Sequence, residues 1–455
     1  MHSTKKRTTN VPAPDVSKFR TYESSRGVTV MMVLAFMGIF LFLLTTIVSY
    51  VFTQGKYGRA IYAREQALNI SESGLEYYRW FLAHNPSIMT AGVGLVSPYT
   101  NVVQVPESGR IGEATITATA KMSCGVVQWV DLSSMGRADS NVSFPRTVNA
   151  RYMRPSVAEY SNIVNANVWA GADRNITGNY HSNGGIRMDG TNNSLVTSAV
   201  GTWACDASFG CSPTQQANGV FGNGSGSALW QFPAASFDFT GISTDFPSIN
   251  TYATANGIKL NPTNVRVDGV QQGGAFASVG GSDQRGFRLV LYANNTVDIY
   301  RVTGTSGVYA QHADNPGVWY TDYHTISSQS FVGNYAIPQD CSVIYAQAKV
   351  WVEGVVGGKV TVVAADSGSF APDIILNNNI TYSSGTGASG FTAIAERSVL
   401  VPLVSPDSMT IRGIFIAQNG YFGRNYYQQG GSRGVPSSQN SYVIQSLLTT
   451  IGSVV

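Results

Sequence analysis

The chain has 455 residues, a net charge of +3, 48 glycines and a charged fraction of only 12%. This length can hold two or three domains with substantial cores. Soluble domains usually carry about 25% charged residues, so the low charge and the many Gly, Asn, Ser and Thr residues favour short strands joined by tight turns. Six Lys and Arg lie within the first 26 residues. The remainder is slightly acidic, and we expect no nucleic acid partner.

The N-terminal region combines a basic start with a long apolar run. We predict that residues 1–26 form a cytoplasmic leader, and the run from Gly27 to Phe52 contains no charged residue. About 20 apolar residues suffice to cross a bilayer, and basic residues before such a run favour a cytoplasmic N-terminus. We therefore predict a single-pass cell membrane protein, anchored in the lipid bilayer through Gly27 to Phe52, with its bulk extracytoplasmic or at the cell surface. A cleaved secretory signal is the alternative, but its apolar region would be about 7 to 15 residues long.

A helical pattern continues beyond the apolar run as far as Pro86. Small and apolar residues recur there at steps of three and four, and the charged residues fall off this stripe. The stripe consists of Ala60, Ala63, Ala67, Ile70, Gly74, Tyr77 and Phe81. It predicts an amphipathic stalk helix that Pro86 ends, and its small residues let another backbone approach closely. Joined to the apolar run, it gives one helix from about Gly27 to Leu82, within a domain spanning 27–86.

The basic leader, the Arg26-Gly27 pair and the apolar helix that continues as an amphipathic one resemble a type IV prepilin. The segment AREQALNISESGLEYYRWFLAHNP is similar to the stretch that follows the membrane helix in minor pilins of the PilX type. The resemblance covers roughly residues 20 to 86. It implies that a prepilin peptidase cuts after Gly27, and that the new N-terminus packs against other pilin-like subunits inside a helical filament.

This chain departs from the pilin pattern at two positions. Major pilins carry a glutamate at the fifth residue after the cut, where this chain has Met32. The first residue after the cut would be Val28 rather than the usual aromatic residue or Met. Some minor pilins lack the glutamate, so the departure argues for a minor subunit and against an efficiently repeating one. An ordinary signal-anchored surface protein is the alternative.

The region after the helix has the character of a β protein. Strand-like alternation in residues 110–154 predicts a small antiparallel sheet that packs on the exposed half of the helix, as a domain spanning 87–155. From Lys349 onward short apolar runs recur in pairs, with equivalent points about 20 residues apart at Val352, Ile375, Ile394 and Ile414. A recurrence with two strands per unit predicts a β-solenoid-like C-terminal region. A β-sandwich is the alternative, because imprecise periods also occur there. The fold class is α+β, mostly β.

The solenoid is predicted in two parts. Residues 156–204 would form its first strands and 346–430 its repeats, so that 182–190 and 349–360 become neighbours. Residues 205–345 would be an inserted β-rich segment, which includes two strands around an Asn-Asn turn at residues 294–295.

The C-terminal segment, 431–455, is apolar at helical spacing, at Val443, Leu447, Leu448 and Ile451. Either it folds back over the end of the solenoid or the chain is a truncated fragment of a longer protein. We favour the second.

Four cysteines bear on the compartment. Cys205 and Cys211 frame a short loop with turn residues, and we predict a disulfide between them because the segment should lie in an oxidising compartment. Two free thiols are the alternative. The pairing of Cys124 and Cys341 stays open. The cysteine spacing fits no common zinc site.

The sequence offers little catalytic chemistry. No GxSxG, HExxH or P-loop motif stands in a proper strand–helix context, and we expect His181 and His324 to be turn or surface residues. We therefore predict no catalytic, cofactor-binding or metal-binding residues and no enzyme activity. The alternative is a membrane-anchored β-helical carbohydrate-active enzyme, which needs two or three converging carboxylates. The carboxylate residues of the repeat region fall in turns or at positions that do not correspond between repeats. They are Glu353, Asp366, Asp373, Glu396 and Asp407.

Several aromatic residues stand in turn-like settings. Aromatic platforms beside Asn and Ser suit the binding of surface glycans. The candidates are Trp169, Trp203, Trp230, Trp319, Tyr320, Tyr323, Tyr421, Tyr426 and Tyr427, with residues 421–434 as the best exposed loop. For any one of them, a place in the β core is the alternative. The function that we predict is that of a non-enzymatic minor pilin-like surface protein, which contributes to assembly or adhesion of a type IV pilus-like filament.

Overall fold

The computed structural model describes residues 26–85, 98–107, 109–124, 126–153, 157–239, 245–315, 317–366, 368, 370–385 and 387–455. The predicted leader lies outside this range, except for the backbone of Arg26. The described residues are mostly β, with one long N-terminal helix. They divide into two compact units: Met1–Thr119 with Asp131–Arg151, and Ala120–Val130 with Tyr152–Val455. The finer domain boundaries stay a prediction.

The two α-helices are α1, Arg26–His84, and α2, Phe246–Asn256. The strands are, in chain order, β1 Tyr99–Val105, β2 Gly109–Ser123, β3 Val126–Ala138, β4 Arg146–Tyr152, β5 Tyr160–Val164, β6 Val168–Ala170, β7 Asn175–Ile176, β8 Asn179–Ser182, β9 Ile186–Met188, β10 Thr191–Asn192, β11 Val196–Ser198, β12 Thr202–Cys205, β13 Gln215–Asn218, β14 Val220–Phe221, β15 Trp230–Gln231, β16 Ile258–Asn261, β17 Asn264–Val267, β18 Val270–Gln272, β19 Gly286–Leu291, β20 Thr296–Gln311, β21 Trp319–Ala336, β22 Val343–Ala346, β23 Lys349–Val356, β24 Lys359–Ala364, β25 Ile374–Tyr382, β26 Gly390–Ala395, β27 Val399–Val401, β28 Ser408–Ala417, β29 Phe422–Arg424 and β30 Leu447–Val454.

Helix α1 runs without a break through the apolar run and the amphipathic segment. Its 59 residues span about 88 Å at 1.5 Å per residue, and the predicted helix from Gly27 to Leu82 is confirmed within two residues at each end. Among the described helices, Gly27–His84 is long and apolar enough to cross a membrane, with a mean hydropathy of 2.6 over its best 18 residues. The side chains from Val28 to Phe52 are all exposed within the chain. This half of the helix therefore presents an apolar surface with no partner among the described residues.

One face of the second half of α1 packs under a four-stranded sheet in the order β1-β2-β3-β4, as predicted. Ala67 and Ile70 of the helix pack against Ala114 and Ala138 of the sheet. The two backbones approach closely, because a Cβ built on Gly136 would lie 2.1 Å from the carbonyl oxygen of Ala67. Small residues on both sides thus set the distance between helix and sheet.

Strands of the second unit alternate between two parallel ladders. The first ladder contains β16, β22, β24, β26, β28 and β30 in this spatial order, and the second contains β19, β23, β25, β27 and β29. Their inward side chains form one apolar core that includes Val350 and Ile374 of the second ladder and Val362 and Phe415 of the first. Parallel neighbours need a crossover connection, and here a strand of the other ladder lies within each crossover.

The predicted period of about 20 residues does not describe this register. Val352 pairs with Leu376 rather than with Ile375, and Ile394 and Ile414 belong to the first ladder while Val352 belongs to the second. Two of the predicted pairs of short strands are each a single strand in the structure. Residues 374–376 and 380–382 belong to β25, and residues 409–411 and 413–417 belong to β28. Gly413 of β28 has a φ of 154°. The pairing of β28 with β30 nevertheless continues through this residue without a break in register.

Strands from the two ends of the second unit meet. β30 pairs with β28 over its whole length and with β5 at Val454, and β5, β8, β11 and β15 continue the first ladder from there. The expectation that 182–190 adjoins 349–360 is therefore wrong. The alternative in which the C-terminal segment folds back over the end of the solenoid does not describe the structure, because Leu447–Val454 form the strand β30 within the first ladder. Short apolar runs do not separate helical from extended spacing.

Two elements cover the outer faces of the ladders. Helix α2 packs Phe246 and Ala253 on the outer face of the first ladder. The hairpin β20–β21 packs on the second ladder, where Val302 and Ile326 contact Trp351 and Ile375. The hairpin leaves room beside the start of the second ladder, and this is where the candidate site lies.

We predict that the substitution Gly136→Ala loosens the sheet from α1. The added Cβ would meet backbone atoms of the helix rather than a mobile side chain, and overpacking of this kind costs about 1–3 kcal/mol. Amide hydrogen exchange of β2 residues 112–118 in the full chain should therefore become faster. The matched control is Gly58→Ala, because a Cβ there meets nothing within 4 Å and alanine favours the helix by about 1 kcal/mol. Unchanged exchange in the Gly136 variant would contradict the close approach.

Candidate functional site

A cavity of about 270 Å³ lies beside the start of the second ladder. Lys349, Asp373, Ser398 and Tyr421 line it. Each stands at the start of a ladder strand or directly before one, and the register of β23, β25, β27 and β29 places the four residues one above another. We call these four residues the cavity column. Parallel pairing, residue for residue, thus brings together side chains that are far apart in the sequence.

The opposite wall of the cavity comes from β21 and the loop before it. Tyr320 and Tyr323 line the cavity from β21, and His312 and Asp314 line it from the loop. The His312 ring stacks on Tyr320 with 4.0 Å between the ring centroids. Tyr421 of the column donates its hydroxyl to Asn425 Oδ1 at 2.7 Å, which fixes the orientation of its ring. The rings of Tyr320 and Tyr421 therefore border one space, and Tyr323 brings its backbone carbonyl to within 3.5 Å of Lys349 Nζ.

Ion pairs hold the charged side chains of the cavity in place. Arg397 donates from Nε to Asp373 at 2.8 Å and from Nη2 to Asp283 at 2.9 Å. Lys349, which is almost fully buried, lies 3.3 Å from Asp283. Burial works to raise the pKa of the Asp283 carboxyl, but Lys349 and Arg397 outweigh it and lower that pKa. Asp283 is therefore an ionised acceptor at neutral pH.

A buried carboxylate supports the wall behind the tyrosines. Asp322 accepts from the Tyr427 hydroxyl at 2.6 Å and from the Asn425 amide at 3.1 Å, and its Oδ2 lies 2.9 Å from His324 Nδ1. Burial works to raise the pKa of Asp322, but His324 and these donors outweigh it and lower the pKa to about 2. Because Asn425 also donates to Tyr320, the network links the buried carboxylate to the cavity wall.

The arrangement suits binding better than catalysis or metal coordination. Within the described ranges, no group of three or more His, Cys, Asp or Glu residues could hold a metal ion. Asp373 and Asp283 are each bound to Arg397, so their charge is balanced inside the cavity. The lining mixes carboxylate acceptors, guanidinium and amide donors and aromatic rings. Such a lining complements a ligand rich in hydroxyl groups.

The structure distributes the sequence-predicted aromatic residues between core and surface. Tyr320, Tyr323 and Tyr421 meet at the cavity. Trp319 and Tyr426 pack edge to face beside each other, 6.0 Å apart, outside it. The others are spread out: Trp169 is exposed, Trp230 is half-buried, and Trp203 and Tyr427 are buried. Sequence reasoning therefore included the rings of the site without identifying which of them meet.

Other site residues depart from expectation. His181 and His324 are only 4% and 3% exposed, so the expectation that they are turn or surface residues is wrong. The expectation that Asp373 has no counterpart in neighbouring repeats is wrong, because the residue aligns with the other members of the cavity column. Sequence reasoning missed Asp283, Lys349, Arg397 and Asn419 as lining residues. One available signal was the polar or aromatic residue that precedes apolar runs, in KVWV, DIIL, SVLV and YFGR.

Two disulfides are present in the second unit. One joins Cys205 to Cys211 across the loop between β12 and β13. The other joins Cys124, at the tip of the β2–β3 hairpin, to Cys341, directly before β22. The described residues contain no free cysteine. Gly27 lies in the first turn of α1, where a Cβ would meet nothing within 4 Å.

Comparison with known proteins gives little guidance. No protein-family model matches the chain, and no curated protein matches it. Among solved structures, the chain is similar to the competence-associated pilin ComZ from Thermus thermophilus, with 11% sequence identity and a TM-score of 0.20. The match covers 86% of this chain and 91% of that chain. A TM-score this low carries no argument about fold or function.

We predict that Asp322→Asn changes the acid stability of the second unit. The pKa of Asp322 is lowered from 3.8 to about 2 in the folded state, so its contribution is present above pH 4 and is lost as the pH falls toward 2. A shift of this size corresponds to about 2 kcal/mol. Urea unfolding between pH 2 and pH 5 should show a flatter pH dependence in the variant. The exposed Asp173 provides the control, Asp173→Asn, which should follow the wild type. Equal slopes in all three proteins would contradict the prediction.

Proposed function

We propose that the protein is a non-enzymatic minor pilin-like subunit, anchored in the cytoplasmic membrane, that contributes to assembly or adhesion of a type IV pilus-like filament. The single observation that carries the proposal is the division of α1. Its first half exposes an uncharged apolar surface, and one face of its second half packs under a small antiparallel sheet. A helix that is apolar all round needs lipid or other apolar helices as its surroundings.

The PilX-type resemblance gives this division a specific meaning. In that family the apolar half crosses the membrane before assembly and packs against other subunits afterwards. The proposal places the leader in the cytoplasm and the sheet and second unit outside the membrane. Two disulfides in the second unit support an oxidising compartment for it.

We further propose that the two parallel ladders are coils of a β-solenoid that forms most of the displayed head. Alternation of successive strands between two ladders supports this architecture. Sandwiches are built from antiparallel sheets, whereas the neighbours within these ladders run parallel. The stacked cavity column is a consequence of this architecture.

A carbohydrate-active enzyme is the second candidate function, and one observation favours it. Asp283, Asp314 and Asp373 line the same cavity. Glycoside hydrolysis needs one carboxylic acid with a raised pKa to protonate the leaving group. The pKa of Asp283 is lowered instead. Incubation of the chain with soluble polysaccharides and an assay for new reducing ends separates the two functions, because a non-enzymatic head releases none.

We predict that the mature chain begins at Val28. Co-expression with a prepilin peptidase, followed by mass spectrometry of the intact protein, should detect loss of residues 1–27. An N-terminus that remains at Met1 would contradict the pilin pathway and leave a signal-anchored surface protein.

Two glycine variants sharpen this test. Gly27→Leu should abolish cleavage, because the resemblance places the cut directly after this residue. Gly38→Leu is the matched control within the same apolar run, since a Cβ at either glycine meets nothing within 4 Å. The control should be cleaved as efficiently as the wild type. Equal cleavage of both variants would show that the peptidase does not read Gly27.

A further inference from the structure

The cavity beside the second ladder carries a more specific conclusion than adhesion in general. We propose that it binds one pyranose ring of a neutral saccharide. The inference deepens the proposed function, and rests on it for its biological setting, because it names what the displayed head would hold. Its test does not depend on cleavage at Gly27.

Charge decides the class of ligand. Asp283, Asp314 and Asp373 line the cavity together with Lys349 and Arg397, so the lining is close to neutral. An anionic ligand would meet three carboxylates. A cationic ligand would meet a guanidinium and an ammonium group. A neutral polar ligand meets neither penalty, because Asp283 and Asp373 are already paired with Lys349 and Arg397.

Hydrogen bonding points to hydroxyl groups. A hydroxyl both donates and accepts, so a ring with several of them needs donors and acceptors side by side. Arg397 uses Nε and Nη2 for Asp373 and Asp283, and its Nη1 carries two further N–H groups. Asp283 uses Oδ1 in its contacts with Arg397 and Lys349, which leaves Oδ2 as an acceptor. Both side chains are about two-fifths exposed, 41% and 43%, so a ligand can reach them.

Aromatic rings supply the apolar part of the site. A pyranose ring has C–H faces that pack on aromatic side chains, and Tyr320 and Tyr421 border the cavity. His312 stacks on Tyr320, and Asn425 fixes Tyr421 through its hydroxyl. Because these rings are already held in place, little side-chain freedom is lost on binding.

Size limits the ligand to a single ring. The cavity volume of about 270 Å³ is below the range of roughly 300–1,000 Å³ that is typical of sites for drug-sized molecules. A monosaccharide, or the terminal ring of a glycan, fits this limit. With so few atoms in contact, we expect a dissociation constant on the order of 1 mM.

The test is saturation-transfer NMR on the full chain in a zwitterionic detergent. Maltoside and glucoside detergents are unsuitable because their headgroups are themselves neutral sugars. The probes are the methyl glycosides of glucose, galactose, mannose and N-acetylglucosamine, with glucuronate and glucosamine as the charged counterparts. We expect saturable binding of at least one neutral glycoside and at least tenfold weaker binding of both charged sugars.

Two tyrosine variants locate the binding. Tyr320→Ala removes the ring that lines the cavity and stacks on His312, so we expect at least tenfold weaker binding. Tyr309→Ala removes an exposed ring from the same hairpin that does not line the cavity, so binding should not change. If the Tyr320 variant does not fold, Asn419→Ala takes its place, since Asn419 is an exposed lining residue.

Three results would overturn the proposal. They are no binding of any neutral glycoside up to 50-fold above the expected constant, preferential binding of a charged sugar, and equal binding by the Tyr320 and Tyr309 variants. The uncleaved Gly27→Leu chain should bind sugar as the wild type does. Failure of cleavage therefore leaves this inference standing, and failure of binding leaves the pilin proposal standing.

Discussion

Residue-for-residue pairing along the second ladder is the constraint on which the second unit depends. Parallel strands in register place equivalent positions one above another, so one apolar position per strand builds a continuous core. The same register also aligns the residue that precedes the apolar run of each strand. These residues, which stack beside the cavity, are Lys349, Asp373, Ser398 and Tyr421. Core and candidate site are therefore two results of one register. A shift of one residue would turn the apolar side chains outward and dissolve the column.

The first unit depends instead on a short distance between the backbone of α1 and the backbone of the sheet. Alanine and glycine on α1 meet alanine and glycine on the sheet, and the backbone of Gly136 nearly touches the helix. Larger side chains would widen the gap. Toward its N-terminus the same helix carries long apolar side chains and meets no described partner. The composition of one helix thus changes at the point where its surroundings change.

Parts of the fold could be predicted because their signals are local. The long helix follows from an uninterrupted pattern without proline, and the turn at residues 294–295 follows from paired asparagines, one of which has a positive φ. The register could not be predicted in this way. Crossovers between ladder strands differ in length, so Val352 and Ile375 look equivalent in sequence although Val352 pairs with Leu376.

The cavity is harder still to predict, because its lining runs from Asp283 to Tyr421. No local pattern links Asp283 to Arg397, although one side chain binds the other. What the sequence did contain was the residue before each apolar run. That signal acquires meaning only when the pairing of the strands is known. Aromatic residues were visible as candidates, but their meeting at one place depends on the path of the β20–β21 hairpin over the ladder.

The disulfide between Cys124 and Cys341 also determines how mechanical tension would travel through the chain. Pull on α1 enters the β2–β3 hairpin and reaches Cys124, and from there the covalent bond carries it to Cys341. The column residues Lys349, Asp373, Ser398 and Tyr421 all follow Cys341 in the sequence. A force applied between α1 and the column therefore bypasses the chain between the two cysteines, whose sequence separation is 217.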